Sequence, residues 1–163
     1  MELTMSKDAT VEVEGQELTA LDKLIVIAYC KEMTATLQYQ MAYHQARGNG
    51  IIDARDEYTE HMKDEFDHAA GWLKRLEERR IIIRPDYKLI QDADRDFVNI
   101  ETSDIKEQIE ILIRAEEGSR DFYGKIVNAA RDVGDWITER IAKEYMAVEE
   151  RHACDLRRIL EQL

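Results

Sequence analysis

Glu32 stands 33 residues ahead of the run Glu65-Phe66-Asp67-His68, and Glu116 stands 33 residues ahead of Glu149-Glu150-Arg151-His152. The interval is the same both times, and so is the motif it leads to, an acid followed three positions later by an imidazole. In a helix that spacing puts the two side chains on adjacent turns of one face. Four carboxylates and two imidazoles, supplied as a Glu from each of two helices and a Glu-x-x-His from each of two others, are what a pair of metal ions takes inside a four-helix bundle. The repeat therefore predicts four helices that meet around two ions.

The rest of the chain permits this. At 163 residues it is long enough to bury a core and short for two ordinary domains. It has one helix breaker, Pro85, and abundant helix formers, so an all-α fold is expected. Residues 1–18 carry no sustained period and read as an N-terminal tail, and residues 19–163 as one bundle domain. Thr19 is placed to cap a first helix running to about Arg47, where Gly48-Asn49-Gly50 ends it. Asp53 is the expected cap of a second helix, to about Arg80. A short helix is expected over Asp86 to Asp92, Ser103 is the expected cap of a third long helix to about Arg131, and Asp135 of a fourth to about Leu160. Short links inside each helix pair make two antiparallel hairpins, and the long connection between them can cross the length of the bundle.

The alternation of four and three selects one face of each helix. It gives Leu21, Ile25, Ala28, Glu32, Ala35 and Tyr39 on the first, and Tyr58, Met62, Glu65, Ala69, Trp72 and Leu76 on the second. The third has Ile105, Ile109, Leu112, Glu116, Ser119 and Tyr123, and the fourth Ala142, Tyr145, Glu149, His152, Leu156 and Ile159. Each acid falls inside an apolar stripe. An ionised carboxylate buried without a partner costs several kcal/mol, so four at one level require cations. Neutral imidazole with carboxylate oxygen suits iron ahead of manganese or zinc. Glu117, turned about 100° from Glu116, is expected in solvent or at a subunit contact.

Other side chains receive weaker assignments. Asp64 is either an acceptor for a metal-bound histidine on a neighbouring helix or a solvated charge. Gly71, Gly118 and Gly124 suggest close approach of helices. His44 and His61 are expected at the surface, and Tyr123 as a core residue. Cys30 and Cys154 fit small buried hydrophobes or subunit-contact residues better than ligands. A net charge of −12 excludes the basic footprint that nucleic acid needs. No apolar run reaches the length of a membrane span and no signal peptide is evident, which makes the cytoplasm the expected location.

These residues resemble the bacterioferritin-type ferroxidase centre, and the likeness runs over about Thr19 to Leu163. It implies a ferritin-like four-helix bundle with two iron ions per chain. Glu65 and Glu149 would bridge the ions, Glu32 and His68 would complete one coordination sphere, and Glu116 and His152 the other, with Tyr39 beside the centre. The haem-bearing methionine of bacterioferritins follows the first bridging Glu, where this chain has Phe66, so no haem is implied. The chain ends 11 residues after His152, too few for the fifth helix of 24-subunit ferritins. The nearest likeness is to Dps-like mini-ferritins of the thioferritin type, which implies a shell of 12 chains.

The function so implied is that of a ferroxidase that oxidises Fe(II) with peroxide or dioxygen and stores ferric mineral, a protection against oxidative stress. Two alternatives share the residues. One is a rubrerythrin-like peroxidase with an external electron donor, although the chain lacks Cys-x-x-Cys pairs. The other is a non-enzymatic helical metal-binding assembly protein.

Overall fold

The computed structural model describes residues 15–94 and 97–163. Five helices lie among them: α1 (Ala20–Gln45), α2 (Ile51–Glu78), α3 (Tyr87–Ala93), α4 (Ile105–Asp132) and α5 (Trp136–Leu160). Helices α1 and α2 pack as one hairpin and α4 and α5 as another; α1 then meets α4, α2 meets α5, and the short α3 rests on α1. The all-α bundle with a long crossover and a short helix inside it is as expected. Most of the expected tail, residues 1–14, lies outside the described residues.

Local chemistry explains the boundaries. Thr19 and Asp22 form a reciprocal capping box: the Thr19 hydroxyl oxygen accepts from the Asp22 N–H at 3.1 Å and Asp22 Oδ2 accepts from the Thr19 N–H at 2.9 Å. Two expected caps are corrected. Asp53 does not cap α2; Gly50, at φ +76°, turns the chain in the left-handed region that glycine tolerates, and Asp53 sits in the first turn. Asp104, not Ser103, caps α4, its carboxylate accepting from the Glu107 N–H at 3.0 Å. Ser103 is engaged elsewhere, its carbonyl accepting from the Arg47 N–H at 3.0 Å and tying the α1–α2 turn to the start of α4. Asp135 caps α5 as expected.

The crossover is fastened along α1. Lys31 pairs with Asp94 at 3.0 Å, Thr34 bonds the same carboxylate, Gln38 donates to the Val98 carbonyl at 2.7 Å and Gln45 to that of Ile100 at 2.6 Å. Spacings of three, four and seven put these polar groups on one stripe, opposite the core stripe that carries Glu32. Two apolar clusters fill the bundle. One contains Ile25, Trp72, Leu76, Ile126 and Ala142; the other Tyr39, Tyr58, Ile109, Leu112 and Leu156. Burying each such side chain stabilises the fold by about 1.5–3 kcal/mol. Between the clusters lies a band of acids.

Candidate metal centre

Glu32, Glu65, His68, Glu116, Glu149 and His152 are all buried, none more than 5% exposed, and they converge. They fall into two groups of four, Glu32, Glu65, His68 and Glu149 in one and Glu65, Glu116, Glu149 and His152 in the other, each with its ligand atoms within 4.8 Å of one another. Glu65 and Glu149 belong to both. In the first group His68 Nδ1 lies 3.4 Å from Glu32 Oε2, 3.5 Å from Glu65 Oε2 and 3.3 Å from Glu149 Oε1. In the second, His152 Nδ1 lies 3.0 Å from Glu65 Oε1 and 3.6 Å from Glu116 Oε2. Glu65 therefore turns one oxygen to each imidazole.

The electrostatics are those of a cation site. Burial, and then the facing Glu65 carboxylate, lift Glu32 to about 8; burial and the carboxylates of Glu65, Glu32 and Glu116 lift Glu149 well above the usual range. Burial lowers His68 and His152, but the acids beside them outweigh it and raise them to about 9 and about 10. Burial and Glu116 push Glu65 upward, and the two imidazoles more than offset this. Glu32 Oε2, Glu65 Oε2, His68 Nδ1 and Glu149 Oε1 are buried and have no hydrogen-bond partner. They are the four ligand atoms of the first group. Atoms that share an ion at about 2.0–2.2 Å stand some 3 to 3.5 Å apart, the separation found around His68.

Around the ligands the arrangement is again doubled. Tyr39 donates to Glu116 Oε1, and Tyr123 donates to Glu32 Oε1, leaving Oε2 of each acid aimed at its imidazole. Tyr145 stacks on His68 with ring centroids 4.0 Å apart, and His61 stacks on His152 at 3.8 Å. Trp72 Nε1 donates to the Tyr123 hydroxyl at 3.1 Å. Asp64 Oδ2 stands 3.2 Å from His152 Nε2 while also accepting from Arg151 at 2.9 Å, so the carboxylate lies against the histidine on the neighbouring helix.

Several expectations are revised. His61 is buried, 1% exposed, between Tyr39, Glu57 and His152; burial and then the charge of His152 push it down to about 3. His44 is exposed as expected. Tyr123 bonds a ligand carboxylate and is more than core filling. Gly71 does mark close approach, since a Cβ there would lie 1.9 Å from the Tyr145 hydroxyl, whereas Gly118 and Gly124 face open space. Glu117 is at the surface, paired with Arg157. Cys30 is buried, its thiol pushed up to about 12 by burial and then by Asp94; Cys154 is exposed, and both are free. Phe66 points outward. The His61 contact was within reach of the sequence, because 61, 65, 68 and 72 keep the same spacing of four, three and four.

A cavity of about 390 Å³ opens between α1 and α4 beneath the crossover, with Lys31, Thr34, Asp94, Glu116, Gly118 and Phe122 among its walls. It brings solvent-accessible volume up to a ligand of the second group. No helix among the described residues is long and apolar enough to cross a membrane.

Comparison with known proteins agrees with the fold. A sequence model of the ferritin-like domain family matches residues 23–163. No curated protein matches in sequence. Among solved structures, the dodecameric thioferritin of Bacteroides fragilis, described as bacterioferritin-related, superposes with a TM-score of 0.83 at 24% identity, over 88% of this chain and 85% of that one. Dps from Staphylococcus aureus gives 0.81 at 9% identity, over 88% and 98%. The Vibrio cholerae Dps protein, a member of a superfamily of ferritin-like diiron-carboxylate proteins, gives 0.76 at 12%, over 90% and 98%.

Proposed function

We propose, from the premise that this chain belongs to the ferritin-like domain family, that it oxidises Fe(II) with peroxide or dioxygen and holds the ferric product inside a shell of its own copies, protecting against oxidative stress. The observation that carries the reading is the set of four buried, unpartnered ligand atoms around His68, with Glu65 and Glu149 shared by a second, similar set. Four carboxylates balance the charge of two divalent ions, which leaves both imidazoles free to act as neutral ligands.

Each residue has a task. Glu65 and Glu149 would span the ions, Glu32 and His68 would hold one, and Glu116 and His152 the other. Tyr39 and Tyr123 engage Oε1 of Glu116 and Glu32, so that Oε2 of each is presented inward in a fixed orientation. Two Fe(II) ions supply the two electrons that convert peroxide to water or dioxygen to peroxide. The apolar clusters close the centre on either side along the bundle, leaving the cavity beside Glu116 as a way in. The acidic balance of the chain favours Fe(II) over anions at its surface and inside a shell.

Two measurements test this. Stopped-flow mixing of anaerobically Fe(II)-loaded protein with peroxide or dioxygen is expected to give a rapid oxidation phase that saturates at two ions per chain. Light scattering coupled to size exclusion is expected to give the mass of a 12-chain assembly; a monomer or dimer would remove the storage role. Steady peroxide turnover with an added reductant and no mineral growth would favour a rubrerythrin-like peroxidase.

A further inference from the structure

Beside the pair, Glu57, His61 and Asp155 bring two carboxylates and an imidazole within 4.8 Å of one another. Glu57 and Asp155 are half-buried, and His61 is enclosed. Its ring is held by the stack on His152 and by a 3.0 Å contact from Nδ1 to the Tyr39 hydroxyl.

The proton positions follow from Tyr39. A phenol has one proton, and this one is donated to Glu116 Oε1. The Tyr39 oxygen can therefore only accept from His61, which places a ring proton on Nδ1 and turns Nε2 toward Glu57 and Asp155. Nε2 is buried and has no hydrogen-bond partner, yet Glu57 Oε1 stands 2.8 Å from it. The oxygen lies off the direction of a hydrogen bond, so the carboxylate leaves Nε2 unsatisfied, whereas a cation bound to both would satisfy the two together. Asp155 supplies a second carboxylate on the same side; one of its oxygens, Oδ1, lies 3.2 Å from the exposed Arg158 guanidinium.

We propose that Glu57, His61 and Asp155 form a third metal site, for a divalent first-row cation, one imidazole away from the Glu116 and His152 half of the pair. One nitrogen and two carboxylates suit Fe(II), Mn(II) or Zn(II), and two negative charges match a divalent ion. His61 also lies within 4.8 Å of ligand atoms of Glu116 and His152. The site thus adjoins both solvent and the pair, the place for an ion to wait before entering the centre. That waiting role rests on the ferroxidase reading; the binding does not.

Zn(II) is the probe, used with the whole protein. Equilibrium dialysis is expected to show one zinc per chain fewer in a Glu57→Gln, Asp155→Asn double variant than in the unsubstituted protein. Glu32→Ala, which alters the far half of the pair, is expected to keep the zinc beside His61, located by anomalous diffraction at the zinc edge. Unchanged zinc content in the double variant, or zinc at the pair and at scattered surface acids only, overturns the proposal. So does a nitrogen-15 spectrum in which His61 Nε2 carries a proton in the presence of Zn(II). Loss of zinc in the double variant together with no loss in Glu32→Ala would support this site and sink the pair instead; the reverse would sink this site alone.

Discussion

The two halves of the centre have the same ligands and different surroundings. Adding 84 to Glu32, Tyr39, Glu65 and His68 gives Glu116, Tyr123, Glu149 and His152, so each ligand and its tyrosine recur. The neighbours do not. His61 corresponds to Tyr145, so one imidazole is covered by a second imidazole and the other by a phenol. Asp64 corresponds to Val148, so the carboxylate that stands at the outer nitrogen of His152 has no counterpart at that position on the other side. A carboxylate there raises the basicity of the ligand and fixes its ring. The lesson is that duplicated residues need not make equivalent sites: on the proposed reading, the Glu116 and His152 half is expected to hold its ion more tightly.

The strongest test of the doubling is to remove a shared ligand and then an unshared one. Glu65→Ala is expected to empty both halves, whereas Glu116→Ala takes bound iron toward one ion per chain and abolishes rapid oxidation. Glu117→Ala should leave both measurements nearly unchanged. Anaerobic dialysis with iron analysis and stopped-flow absorbance read these out. If Glu117→Ala kills the reaction and Glu116→Ala spares it, the two halves are not related as described.

The asymmetry is sharpened by Asp64→Asn. It should weaken the ion of the Glu116 and His152 half by about 10- to 100-fold, the usual effect of losing an outer carboxylate, with the other half unmoved. Metal titration followed by calorimetry would separate the two affinities. Equal weakening of both ions would break the comparison.

A smaller difference lies in the packing over each imidazole. Gly71→Ala should drive its methyl into the Tyr145 hydroxyl, disturb the stack on His68 and cost about 1–3 kcal/mol by thermal unfolding. Gly118→Ala, which meets open space, should instead stabilise by up to about 1 kcal/mol through its helix propensity.

The least effect on either half comes from the far end of the bundle, a control for general loosening. Burial raises Asp135, but the Thr138 N–H and hydroxyl and the Arg75 guanidinium outweigh it and hold the carboxyl near 2, against 3.8 ordinarily. A depressed carboxyl stabilises the fold above its unfolded value and loses that contribution as pH falls from 3.8 toward 2. Asn can still cap the helix, but Asp135→Asn removes the charge that Arg75 and Arg79 bond, and is therefore expected to cost about 1.5–3 kcal/mol at neutral pH. It should also flatten the acid limb of the stability curve between those values, while leaving the ratio of the two metal affinities unchanged.

Much of this was legible because periodicity and charge are local. The stripes placed all six acids and imidazoles in the interior, and Thr19, Asp86 and Asp135 announced three helix starts. Gly50 escaped notice because a left-handed cap competes with a nearby aspartate and wins only through the turn geometry. Ser103 was passed over for Asp104 because its carbonyl pairs with Arg47, a contact between segments far apart in sequence. His61 was set aside because the second helix buries a broad face, and the stripe through Tyr58 and Met62 runs beside the one through His61. Whether a helical glycine meets a neighbour, as Gly71 does and Gly118 does not, depends on the facing helix and is written in no single segment.

The division of the ligands between hairpins bears on how the chain reaches its fold. The α1–α2 hairpin carries Glu32, Glu65 and His68, and the α4–α5 hairpin carries Glu116, Glu149 and His152. Each closes over a short turn and brings together two carboxylates and one imidazole, a modest electrostatic burden. Only when the crossover lets the hairpins dock do four carboxylates share one buried layer. The repulsion therefore falls on the late, long-range step, the one already slowed by loop closure. Divalent ions bound as proposed would act on that step, so their removal should loosen the docking of two preformed hairpins before it melts either one.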